Sequence, residues 1–182
     1  RKRVYWGHCS SRDLTHWQTH APALAPNAWY DTNGVYSGGA TVAGDEVWFH
    51  YTGNVKKEDG SRGSYQCAAK TADFETFTKL EANPLISGPP PGYTAHVRDP
   101  FVTGTPGDYK MYLGAQREDM TGTILAYRSA DLINWDLVGE VDVKDPKYRD
   151  FGYMWECPNV LEVKDQDTGE AFDVLLFSPQ GI

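Results

Sequence analysis

Apolar and aromatic residues fall in short runs bounded by turn formers, and nothing long and helical lies between them, so the pattern predicts strands throughout. The first runs are Val4 to Cys9, Tyr65 to Ala69 and Ile124 to Tyr127. Each is followed by one turn motif, Ser/Thr-x-Asp-apolar-x-x-aromatic: Ser11 to Trp17, Thr71 to Phe77 and Ser129 to Trp135. The aspartates Asp13, Asp73 and Asp131 are 60 and 58 residues apart. An aspartate in this place caps its own backbone, and a short strand-like run follows each copy. A second series keeps the period about 25 residues further on: Ser37-Gly38-Gly39, Asp99-Pro100-Phe101 and Glu156-Cys157-Pro158, with leading residues 62 and 57 apart. After these come Val47 to Thr52, Tyr109 to Gly114 and Phe172 to Phe177, rich in aromatic or branched residues that suit strands.

One period therefore holds four antiparallel strands, which is a propeller blade, and a fixed period decides architecture more firmly than local propensity does. The predicted fold class is all-β, a partial β-propeller, with residues 1–182 belonging to one propeller domain of about three blades. A three-layer β-sandwich with accidental periodicity is the competing arrangement. The chain opens on what reads as a third strand and stops at Gly181-Ile182, just after a second strand. An internal piece of a longer propeller is the expectation, because an open set of blades leaves strand edges bare.

Composition narrows the function. The 25 acidic residues outnumber the 17 Lys and Arg, for a net charge of −8, the wrong sign for holding a phosphate backbone, so no nucleic acid partner is expected. No window approaches 18 consecutive apolar residues, so neither a membrane span nor an export signal is visible. Cys9, Cys67 and Cys157 are odd in number and widely spaced, which excludes a fully paired disulfide framework and leans toward the cytoplasm. The five histidines lack the close spacing of a metal site, and no phosphate loop opens a helix, so neither a metal nor a cofactor is implied. The aromatic share is high: 6 Trp, 11 Tyr and 7 Phe, side chains that also stack on sugar rings.

If the leading strands line the channel, Ser37, Asp99 and Glu156 occupy equivalent places on successive blades and converge on one mouth. Two of the three are acids, and paired carboxylates across a cleft are what glycosidic cleavage requires. Arg98 beside Asp99 is expected to favour its ionised form, whereas Met154, Trp155, Cys157 and Pro158 give Glu156 apolar company that would raise its pKa. On the residues alone, Arg98 and Asp99 read equally as a structural pair before Pro100, and Glu156 as a solvated side chain. A protein-binding scaffold propeller also remains open.

The ordered runs Trp6-Gly7-His8, Ser11-x-Asp13-Leu14-x-His16-Trp17, Tyr36-Ser37-Gly38, Tyr51-Thr52-Gly53, Arg98-Asp99-Pro100, Trp155-Glu156-Cys157-Pro158 and Phe177-Ser178-Pro179-Gln180-Gly181 resemble glycoside hydrolase family 32. The resemblance implies a five-bladed propeller followed by a β-sandwich. It also implies a small-molecule partner, sucrose, sucrose 6-phosphate or a related β-fructoside, cleaved with retention through a covalent fructosyl-enzyme. Glu156 would be the general acid/base and Asp99 the transition-state stabiliser, with Arg98, Tyr36 and Ser37 lining the fructose site. A fructosyltransferase, or a silent sugar-binding relative, shares these motifs. The family's aspartate nucleophile lies in a Trp-x-Asn-Asp-Pro-Asn-Gly motif that does not occur in these 182 residues. The repeat period places it roughly 20 to 25 residues upstream of Arg1, so residues 1–182 alone are expected not to hydrolyse sucrose.

Overall fold

The computed structural model describes residues 3–143, 145 and 151–181. No helix occurs among them, and twelve strands form antiparallel sheets. One complete blade is β3 (Gly34–Ala43), β4 (Glu46–Lys56), β5 (Arg62–Thr71) and β6 (Thr78–Lys79), in that spatial order. The next is β7 (Tyr93–Thr105), β8 (Asp108–Arg117), β9 (Gly122–Ser129) and β10 (Asp136–Glu140). β1 (Cys9–Ser11) and β2 (Trp17–Thr19) pair in the places of a third and fourth strand, and β11 (Met154–Lys164) and β12 (Ala171–Gln180) in those of a first and second. This is a partial β-propeller, as the period predicts. The Val4 to Cys9 run differs from expectation, since regular pairing starts only at Cys9. Val4 and Trp6 instead make single bridges to Gly34 and Leu24, tying the entering chain onto the next blade.

The three Asp turns close with the same bonds. Ser11, Thr71 and Ser129 each accept the N–H of the residue three further on at 2.9 Å. Asp13, Asp73 and Asp131 each accept two backbone N–H groups at 2.8–2.9 Å. These bonds hold the three carboxyls below their ordinary range, Asp131 at about 2. The apolar residue after each aspartate takes a left-handed conformation, at Leu14 (φ 62°), Phe74 (φ 58°) and Leu132 (φ 65°).

Two apolar layers join successive blades. Trp48 and Ala68 of one blade pack with Val97, Val102, Met111, Leu113, Leu125 and Leu132 of the next. Leu24, Tyr30, Val35, Tyr51, Cys67 and Ala69 form the second layer beneath the segment leading into β3. That segment is locked by a buried ion pair. Asp31, with no exposed surface, accepts the Ala28 N–H and the Tyr51 hydroxyl and is paired with Lys79. The Lys79 ammonium also donates to Ala25 O and Asn27 Oδ1, so both charges are hydrogen-bonded, the condition under which a buried pair is tolerated.

Candidate active site

All three inner strands carry a bulge at the same point. Pairing with the second strand slips between Val35 and Gly38 in β3, between Arg98 and Phe101 in β7, and between Glu156 and Asn159 in β11. A bulge leaves residues out of the ladder and re-aims their side chains. Asp99 (φ 63°) and Cys157 (φ 50°) are the left-handed residues of two of these bulges. Proline follows each, where no ladder N–H is lost. Asp99 is therefore the structural equivalent of Cys157, and Glu156 that of Arg98, a correction to the expected alignment of Asp99 with Glu156. The offset of one residue places two carboxylates from neighbouring strands close together instead of on matching spokes.

The freed backbone groups build the site. The Asp99 N–H donates to Thr52 Oγ1 at 3.0 Å, and Thr52 donates to Gln66 Oε1 at 2.8 Å. The Gln66 amide in turn donates to Val97 O at 3.0 Å. The Cys157 N–H, released by its own bulge, donates to Asp99 Oδ2 at 3.0 Å. Burial raises the Asp99 carboxyl above its ordinary range, overcoming the Cys157 N–H and Arg98, which both act downward. The expected ionising effect of Arg98 is thus the smaller one. Burial, and then the Asp99 charge, push the Cys157 thiol up to about 11, so it stays protonated and is no nucleophile at neutral pH.

The partner expected for Asp99 belongs to Glu156. Arg98 donates from Nε and Nη2 to Glu156 Oε1 at 2.9 and 2.6 Å, while Asp99 Oδ2 lies 4.0 Å from Nε. The third guanidinium nitrogen, Nη1, meets His96 Nδ1 at 2.8 Å. The other Glu156 oxygen accepts from the Gln180 side chain. The apolar company expected for Glu156 lies behind it. Met154 and Trp155 are buried, and Trp155 stacks on Phe177 at 4.2 Å, fixing the start of β11. The carboxylate itself faces an arginine and an amide.

Tyr36 and Ser37 sit in the β3 bulge, Ser37 exposed and Tyr36 partly buried, its carbonyl accepting Trp6 Nε1 at 2.9 Å. Tyr36 shares a small cavity with Arg98 and Thr52. Two residues that contact the site, His96 and Gln180, were not singled out from the sequence. Gln180 lies within the Phe177 to Gly181 motif and was accessible through it. His96 is separable only by its position two residues before Arg98, on the same face of β7.

Propeller blades thus gather two carboxylates and an arginine where neighbouring inner strands bulge. The glycosyl hydrolases family 32 N-terminal domain matches residues 1–182, and the chain belongs to that family. Sucrose-6-phosphate hydrolase of Bacillus subtilis (strain 168) is 39% identical over 179 residues, 98% of this chain and 36% of that protein. Sucrose-6-phosphate hydrolase of Klebsiella pneumoniae is 42% identical over 178 residues, 97% of this chain and 36% of the relative. Among solved structures, sucrose-6-phosphate hydrolase from Lactobacillus gasseri superposes with a TM-score of 0.84 at 34% identity, over 98% of this chain and 34% of that one. A Bombyx mori family 32 β-fructofuranosidase gives 0.80 at 34% identity, over 98% and 35%. The chain thus spans about a third of the length of the curated relatives it matches.

Proposed function

We propose that the full-length protein carrying this chain is a β-fructofuranosidase-type hydrolase that releases fructose from sucrose, sucrose 6-phosphate or a related β-fructoside. The observation that carries the proposal is the convergence of Glu156, Asp99 and Arg98 at adjoining bulges, with Glu156 held through both oxygens by Arg98 and Gln180. Family membership and relatives named sucrose-6-phosphate hydrolase support it, as does a Bombyx mori relative solved with sucrose.

In this mechanism a nucleophilic carboxylate attacks the anomeric carbon of the fructosyl unit as its bond to the leaving oxygen breaks, and Glu156 gives its proton to that oxygen. Glu156, now a carboxylate, takes a proton from water as the water attacks the same carbon and frees the enzyme, so configuration is retained. Asp99, fixed by the Cys157 N–H, holds fructose hydroxyls and favours the positive charge developing on the ring. Tyr36 and Ser37 line the fructose site. The nucleophile is the aspartate of the family motif absent from these 182 residues, so the covalent step is assigned to the full-length protein. Fructose release by that protein and by its Glu156→Gln variant tests the proposal: loss of turnover in the variant supports it, and wild-type-like turnover overturns it.

A further inference from the structure

Beside the Arg98 and Glu156 pair, a cavity of about 20 Å³ lies between β4, β5 and β7. A space of this size admits a single oxygen atom with its hydrogens, as in a bound water. Its wall is built of donors. Asn54 and Ser64, opposite each other in the β4–β5 register, are 5% and 7% exposed, and neither Asn54 Nδ2 nor Ser64 Oγ has a hydrogen-bond partner. Buried polar groups are ordinarily satisfied, so two orphans on one wall point to an absent acceptor. Arg62 lies two residues from Ser64 on the same face of β5, lines the cavity, and is exposed at its mouth. Among the described residues Arg62 forms no ion pair. His96 also lines it. Because its Nδ1 accepts from Arg98, the ring proton is on Nε2, which makes the imidazole a donor. Burial, Arg98 and Arg62 all keep this histidine neutral, lowering its pKa from the ordinary value. No carboxylate lines the cavity, although the chain carries a net charge of −8. Of the three cations on the β4–β5 hairpin, Lys56, Lys57 and Arg62, only Arg62 lines it.

We propose that Asn54, Ser64, Arg62 and His96 form an anion subsite for the phosphate of a phosphorylated sugar, one phosphate oxygen seated on Asn54 and Ser64 and the others facing Arg62 at the mouth. The assignment deepens the fructosidase proposal and rests on it, since it makes this subsite the determinant that favours sucrose 6-phosphate over sucrose. A guanidinium recognises a phosphate through charge-assisted bonds that a neutral hydroxymethyl group cannot replace.

The test uses the full-length protein and its Arg62→Gln variant, an exposed change that leaves the cavity floor intact. The ratio of kcat/KM for sucrose 6-phosphate to that for sucrose is expected to fall by about tenfold or more in the variant. Calorimetric titration with inorganic phosphate, which needs no turnover, is expected to show binding to the wild type that is weakened by a similar factor. An unchanged ratio, or equal phosphate affinity in the two proteins, overturns the subsite. Phosphate binding that is lost in Arg62→Gln, in a protein that cleaves neither sugar, supports the anion subsite and overturns the fructosidase proposal instead.

Discussion

Gly114→Ala in the full-length protein is expected to disable the site without touching any group that meets substrate. Gly114 pairs with Arg98 on one side and Ile124 on the other, and its open face abuts β11. A Cβ there would lie 2.0 Å from the Trp155 carbonyl oxygen, where ordinary contact begins at 3.4 Å, so strand β11 must retreat by about 1.4 Å. Met154 and Trp155 are fully packed and pass the displacement to Glu156. The Arg98 Nη2 to Glu156 Oε1 bond of 2.6 Å would open beyond hydrogen-bonding range. Misplacing a catalytic group by about 1 Å costs on the order of 10²-fold, while overpacking costs about 1–3 kcal/mol of stability. The assay is fructose release with kcat and KM measured separately, beside a thermal melt. The expected result is a folded variant with Tm lowered by several degrees and kcat reduced about 100-fold. Wild-type kcat with unchanged Tm would refute the idea that this backbone contact sets the position of Glu156.

Lys79→Met should destabilise the domain by about 3–5 kcal/mol in a denaturant titration, because it strands the fully buried Asp31 without its cation. Asp99→Asn should abolish most turnover, about 10²-fold or more, yet raise Tm at neutral pH. Burial raises the Asp99 carboxyl in the fold, so its contribution to stability is fully present below the unfolded value of 3.8 and is lost as pH rises through the folded one. The neutral amide removes that loss, and equal Tm values for both proteins at pH 7 would count against it. His50 behaves in the opposite sense. It is buried between Trp48 and Trp135, and burial lowers it to about 4 from 6.5. Its contribution is present above pH 6.5 and fades as pH falls toward 4, about 3 kcal/mol in all. His50→Gln should flatten that limb of a stability-versus-pH curve, and an unchanged limb would assign the acid loss to other groups.

The blade pattern was legible because it is stated three times along the chain. The Ser/Thr-x-Asp turn recurs at nearly equal spacing, and its bonds are local, so the same residues make the same turn wherever they occur. The strands at Tyr65, Tyr109 and Phe172 follow from aromatic and branched runs. The inner-strand register was not legible in the same way. A bulge shifts equivalence by one residue, and only the left-handed backbone at Asp99 and Cys157 shows that Asp99 matches Cys157 and not Glu156. The Arg98 to Glu156 bond joins residues 58 apart, and sequence adjacency pointed to Asp99 instead. The Asp31 to Lys79 pair and the orphaned Asn54 and Ser64 were equally hidden, since both depend on which strands lie side by side. Recognition of the family motifs supplied roles for Glu156 and Asp99 that local chemistry left open.

Fructose release by the full-length protein and its Glu156→Gln variant bears most directly on the central claim. Gln keeps the size of the side chain and can still accept from Arg98 through its amide oxygen, so sugar binding should survive while the proton donor is gone. The expected result is fructose release from sucrose or sucrose 6-phosphate by the wild type, and a fall in kcat of about 10²- to 10⁴-fold at similar KM in the variant. Turnover by Glu156→Gln at the wild-type rate would contradict it.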